Sequence, residues 1–188
     1  MLNVSKTKEL IIDFRIKKDP LLPIQIKNQD VNQVTSYKYL GVTIDNKLQW
    51  DEHASNIYKK ANKRIYFLRK LKEFRIDPTL IELFYQATIQ SVLTFCIIGW
   101  GGNTNKKKQK NKIDYLIKRS GKLFDKIPHS FNDLFDICCA RKIKSIDNDS
   151  LHPRFHRIKR SDRSGCIQLI LTRSECYKLS FMPYSIRF

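Results

Sequence analysis

At 188 residues, 41% of them hydrophobic and with eleven Phe, eight Tyr and two Trp, the chain holds enough apolar material for one domain, which excludes wholesale disorder. Thirty-six Lys and Arg against eighteen Asp and Glu leave a net charge of +18. Such a balance favours a polyanionic partner, nucleic acid first, because cations that neutralise phosphates release condensed counterions.

Residues 8–50 read as strands. Leu10, Ile12, Phe14 and Ile16 alternate with Ile11, Asp13 and Arg15, the period of a half-buried strand. After Asp19-Pro20, the segment Leu22-Pro23-Ile24-Gln25-Ile26, a polar turn at Asn28-Gln29-Asp30 and then Val31 and Val34 read as a small hairpin. Residues 37–44 form the next expected strand, ended by the turn-tolerant Asp45-Asn46.

The period then changes. From residue 51 to 74, Ala54, Ile57, Ala61, Ile65, Leu68 and Leu71 recur every three or four positions, which predicts an amphipathic helix with Asp51 as its cap. Lys59, Lys60, Lys63, Arg64, Lys70 and Lys72 crowd its other sides. Asp77-Pro78 supplies a cap and a first-turn proline for a second helix, with Leu80, Leu83, Phe84, Ala87, Val92 and Leu93 as its buried centre and Gly99-Trp100-Gly101-Gly102 as its end. Residues 92–100 are too short to span a bilayer, and Gln90, Gln86 and Glu82 precede them, so a buried helix and no membrane partner are expected.

A lysine-rich connector over 103–112 precedes a third helix with Ile113, Leu116, Ile117, Leu123 and Phe124 inward and Lys118, Arg119 and Lys122 outward. Residues 131–146 contain a further short helix. Beyond Asp147 the pattern decays: His152-Pro153, the basic run from Arg157 to Arg163 and Ser164-Gly165 mark a tail with little regular structure. The expected fold class is α+β: a small antiparallel β segment over 1–50, a helical region over 51–146 and an irregular basic tail over 147–188.

Five cysteines, an odd count with an adjacent pair and no C-x-x-C spacing, argue against a disulfide framework or a zinc ribbon. Reduced, mostly buried thiols are expected, in an intracellular protein of nuclear or cytoplasmic location. Met1 is not followed by a basic region and an apolar run, so no signal peptide is expected. His152 and His156 flank a proline without an evident third ligand, and no metal or cofactor is expected.

Two motifs in order carry a resemblance. Leu2-Asn3-Val4-Ser5-Lys6-Thr7-Lys8 is followed by an apolar stretch and then by Tyr39-Leu40-Gly41-Val42-Thr43-Ile44. Together they resemble the end of the palm of non-LTR (LINE-type) retrotransposon reverse transcriptases. Lys59-Lys60-Ala61, Arg64 to Leu71, Leu83-Phe84-Tyr85 and Gly99-Trp100-Gly101-Gly102-Asn103 are similar to the thumb of the same elements, and the segment from Ser180 to Arg187 to their terminal part. The resemblance implies that Lys6 corresponds to a lysine near the incoming triphosphate, placed to protonate pyrophosphate. It implies that Tyr39, Leu40 and Gly41 belong to a primer-grip-like strand whose glycine lets the backbone come close to a nucleic-acid strand.

The basic helix, through Lys59, Lys60, Lys63 and Arg64, is expected to contact RNA or DNA through phosphates without reading sequence. No Phe/Tyr-x-Asp-Asp is present, so two-metal phosphoryl transfer is not expected of this chain alone. On this resemblance Lys6 is expected to be a relic, and the chain an N-terminally truncated, inactive remnant. The opening segment is also similar to the N-terminal region of AlkB-homologue-eight enzymes. That likeness implies an accessory piece of a methyltransferase or 2-oxoglutarate dioxygenase, although no glycine-rich methyl-donor loop or H-x-D pair accompanies it. A domesticated RNA- or DNA-binding module is a further alternative.

Overall fold

The structure, a computed structural model, describes residues 3–15, 22–104, 107–161 and 167–186. Ile16, Asp19-Pro20, the far end of the basic run to Arg163, Ser164-Gly165, Cys166 and Arg187 lie outside them. Near the start, Asn3 caps a 3₁₀ turn over Val4–Lys6. Its Oδ1 accepts from the Ser5 amide (3.1 Å) and hydroxyl (2.7 Å), which is the local role of the asparagine in the opening motif.

Strand β1 (Lys8–Glu9) follows. A tight hairpin joins β2 (Gln25–Ile26) to β3 (Gln29–Asp30), and its turn residues are Lys27 (φ 54°) and Asn28 (φ 59°), one position before the turn expected from sequence. Strand β4 (Asn32–Gln33) pairs with β1 in parallel, not antiparallel. The alternation from Leu10 to Phe14 is not a strand: the pairing ends where the Val34 amide donates to Glu9 O (2.8 Å). No neighbour continues the ladder beyond it, and Phe14 is left exposed.

The expected single strand over 37–44 is a second hairpin, β5 (Ser36–Tyr39) and β6 (Val42–Asp45), with Tyr37 opposite Ile44 and Tyr39 opposite Val42. Leu40 (φ 45°) and Gly41 (φ 89°) make the two-residue turn, whose positive φ values match the strand twist. A leucine strains this conformation, and its side chain is 77% exposed. Leu40→Asn should therefore stabilise the protein by about 1 kcal/mol, seen as a higher urea midpoint. An unchanged or lower midpoint would mean that the exposed leucine has packing value.

Asp45 ties this hairpin to the first helix, α1 (Asp51–Glu73). Its carboxylate accepts from the amides of Lys47 (2.9 Å), Gln49 (3.0 Å) and Trp50 (3.0 Å). Burial alone would raise the Asp45 carboxyl, but these amides outweigh it and hold the group below its ordinary value. The cap position belongs to Trp50, in the left-handed region at φ 62°, and Asp51 is the first helical residue. Among the described residues no side-chain hydrogen bond caps α1 at Trp50; Asp45 instead orders the loop that leads into the helix.

Helix α1 buries Ala54, Ile57, Ala61, Ile65 and Leu68, as the periodicity predicts. Asp77 caps α2 (Pro78–Tyr85), accepting from the Thr79 amide at 2.8 Å. A π turn (Gln86–Gln90) and α3 (Ser91–Thr94) continue the rod. The buried stripe here is Ile81, Tyr85, Ile89, Leu93 and Ile97, spaced by four. A 3.6-residue helix would rotate such a stripe off the core, and the wider π turn restores it. Leu80 and Leu83, expected inside, are exposed because the helix turns them away from the face of Ile81 and Tyr85.

The rod breaks at Phe95 (ψ 118°) and Cys96 (φ 49°) before α4 (Ile97–Trp100), earlier than the glycines suggested. On length and composition the stretch Pro78–Trp100 could cross a membrane, with a hydropathy of 1.4, further than the sequence reading allowed. Its stripe and Trp100 nonetheless form part of the central core.

Helix α5 (Lys107–Gly121) begins inside the expected connector and buries Ile113, Leu116 and Ile117. Helix α6 (Phe131–Asp147) is long rather than short, started by a Ser130–Asp133 capping box. Phe131, Leu134, Phe135 and Cys139 bury against the same core. The tail is irregular apart from a 3₁₀ turn (Phe155–Arg157), α7 (Glu175–Lys178) and α8 (Phe181–Ser185). Its end is packed: Met182 and Ile186 close over Ile146, and the Tyr184 hydroxyl donates to Asp136 at 2.7 Å. The architecture is α+β, with three two-stranded ladders among the described residues followed by helices.

Candidate nucleic-acid interface

The hairpin and α1 create a groove. Gly41, at the hairpin tip, faces Lys60 and Lys63 of α1 across a cleft of about 680 Å³ whose far wall is Ser91, Val92 and Phe95 of the α2–α3 rod. A smaller recess of about 330 Å³ shares Gly41, Ile57, Lys60 and Lys63 and adds Lys38, Thr43, Asn56 and Lys59. The two recesses adjoin at these four shared residues and are together called the channel. A Cβ on Gly41 would come 3.3 Å from the Phe95 ring, so glycine there permits both the turn and the close approach of the rod.

Lys59, Lys60, Lys63, Arg64 and Gly41, named from sequence, are thus brought to one place. Among the described residues, Lys38, Lys59, Lys60 and Lys63 take part in no salt bridge, whereas Lys70 and Lys72, farther along α1, pair with Glu73 and Asp125. The channel's lysine charge is therefore uncompensated and available to an anion. Arg64 has a second duty: it donates to the Thr88 carbonyl in the π turn and so braces the rod against α1.

Tyr39 and Leu40 sit at the exposed rim of the hairpin rather than in the channel. Lys6 lies on the exposed opening turn and lines neither recess. Sequence reasoning missed Lys38, Ser91, Val92 and Phe95. A strand lysine beside a two-residue turn was a signal for the first, but the rod wall depends on tertiary packing.

His53 supports the channel floor. It is buried, its Nδ1 accepts from the Thr43 amide of β6 at 3.1 Å, and its ring meets Trp100 edge-to-face at 5.2 Å. Nε2 has no hydrogen-bond partner among the described residues. Burial, aided by Lys60, pushes the imidazole down to about 4. The unfolded ring takes up a proton near pH 6.5 and the native ring only near 4, so its contribution is intact above pH 6.5 and lost on acidification. Stability should fall by roughly 3 kcal/mol across that window. His53→Asn should flatten that part of a pH series of urea denaturations; an unchanged slope would show that other groups carry it.

Cys139 is buried and its thiol is pushed up to about 11 by burial, while Cys138 is half-buried. Cys96 is exposed, contrary to the expectation of mostly buried thiols, because the helix breaks there and turns it outward. Among the described residues no three His, Cys, Asp or Glu side chains converge as metal ligands. The buried His53, whose Nδ1 is already engaged by the Thr43 amide, does not fit an iron ligand.

Residues 50–91 match the model of the family described as Alkylated DNA repair protein alkB homolog 8, N-terminal. The match falls on α1, α2 and the π turn, not on the opening segment where the sequence reading had placed that likeness. It covers one wall of the channel and part of the other, including Lys59, Lys60, Lys63, Arg64 and Ser91. No curated protein and no solved structure matches the chain.

Proposed function

We propose that the chain is the end-of-palm and thumb part of a non-LTR retrotransposon reverse transcriptase, which binds RNA or DNA non-specifically through phosphates and does not polymerise on its own. The observation that carries this reading is the channel in which the Gly41 hairpin tip meets Lys59, Lys60 and Lys63. It joins the primer-grip-like motif to the basic thumb-like helix, two segments that the resemblance pairs. The lysines can hold a backbone by charge, but nothing in the channel presents the paired carboxylates that two-metal phosphoryl transfer needs.

The match over residues 50–91 favours a second reading: a basic RNA- or DNA-binding module related to the alkB homolog 8 N-terminal family, without that family's chemistry. Both readings use the same lysines. Purified protein should bind oligonucleotides of unrelated sequence with similar affinity at low salt and show no primer extension with magnesium and deoxynucleotides. Absence of binding would sink both readings, and extension would sink the claim of inactivity. Binding together with iron- and 2-oxoglutarate-dependent turnover would transfer the chain to the dioxygenase alternative.

A further inference from the structure

The geometry points to a single-stranded nucleic acid, rather than a duplex, as the channel's ligand, with unpaired bases stacking on Tyr66 and Phe67. This rests on the nucleic-acid reading above and adds to it the form of the ligand. Helical spacing places Phe67 one turn beyond Lys63 and two beyond Lys60, past the end of the two recesses, which neither ring lines, with Tyr66 beside it. About 12 Å of helix separates Lys59 from Phe67, enough for two nucleotides of extended backbone.

Both rings are more than half exposed although α1 has a well-filled buried face, and they meet each other edge-to-face at 5.6 Å. Lys70, whose ammonium pairs with Glu73 at 2.6 Å, lies 5.9 Å from the centre of the Tyr66 ring. Phe74, 74% exposed, ends the same outward stripe. Two adjacent aromatic rings continuous with unpaired lysines suit a strand whose phosphates follow the cations while its bases turn onto the rings. A duplex offers the lysines its phosphates but keeps its base faces stacked. The charge complementarity of this flank selects a polyanion over an apolar protein partner.

The test compares a sixteen-nucleotide oligo-dT or oligo-U with a duplex of equal length at one salt concentration, for the full chain and for Tyr66→Leu with Phe67→Leu. Both positions are exposed, and leucine keeps the helix. Wild-type protein should prefer the single strand at least tenfold, and the variant should lose roughly 10- to 100-fold for it while its duplex affinity and salt slope stay the same. Equal affinity of the wild type for the two probes, or unchanged single-strand binding by the variant, overturns this inference alone. A change in sedimentation of the variant with unchanged single-strand binding makes the rings a protein interface and equally overturns it. Failure of the wild type to bind either probe at low salt overturns the underlying nucleic-acid reading as well.

Discussion

Neutralising Lys60 and Lys63 together, as Lys60→Gln with Lys63→Gln, should weaken nucleic-acid binding by roughly 10- to 100-fold near 0.1 M salt. These two lysines line both recesses of the channel and are engaged in no salt bridge among the described residues. Each phosphate contact that disappears should lower the slope of log K against log salt by about 1. The fold should be untouched, because both side chains are exposed and glutamine is a good helix former. Lys118→Gln with Lys144→Gln removes the same charge from exposed positions on α5 and α6. If that control weakens binding as much, the effect belongs to net charge and not to the channel.

Trp100→Ala should be the most destabilising single change in the helical core. The ring is fully buried, lies 5.2 Å from His53 and 5.4 Å from Phe131, and its Nε1 donates to the Phe95 carbonyl at 2.9 Å. Truncation leaves a cavity where α1, α4 and α6 meet and strips that carbonyl of its donor. Such losses cost about 3–5 kcal/mol, against a total stability of roughly 5–15 kcal/mol for a domain. The melting temperature should fall by about 10 °C or more. Trp100→Phe keeps most of the packing and should cost much less. Circular dichroism melts of the two variants check this, and equal losses would place the energy in the hydrogen bond rather than in the ring.

Features set by short-range chemistry were legible in the sequence. The Asp77-Pro78 start of α2 needs only a carboxylate one residue before a fixed φ, and α1 followed from apolar residues at helical spacing. The second hairpin was hidden because Leu40 is no turn residue, and only the structure shows a leucine forced to positive φ. The π turn was hidden because a stripe spaced by four reads as an ordinary helix. Parallel pairing of β1 with β4 depends on where the chain returns, which no local pattern encodes.

The site was half legible for the same reasons. Lys59, Lys60, Lys63 and Arg64 were visible as a cationic helix and Gly41 as part of a primer-grip-like strand, but nothing local said that they face each other. Asp45, which fixes the hairpin to the start of α1, was read as a strand end. Arg64 was read as a phosphate contact, yet it also braces the π turn. Lys6 was the sharpest chemical candidate in the sequence, and the channel leaves it out along with Tyr39 and Leu40.

A polyanion held in the channel by charge at Lys59, Lys60 and Lys63 must bind with an affinity that depends on salt. The most direct measurement is the affinity of the full chain for a short single-stranded oligonucleotide, by fluorescence anisotropy between 50 and about 200 mM salt. Log K should fall linearly with log salt, and the slope should be shallower by about 2 in Lys60→Gln with Lys63→Gln. An affinity that ignores salt, or a slope that the substitutions leave unchanged, would contradict binding by charge in the channel.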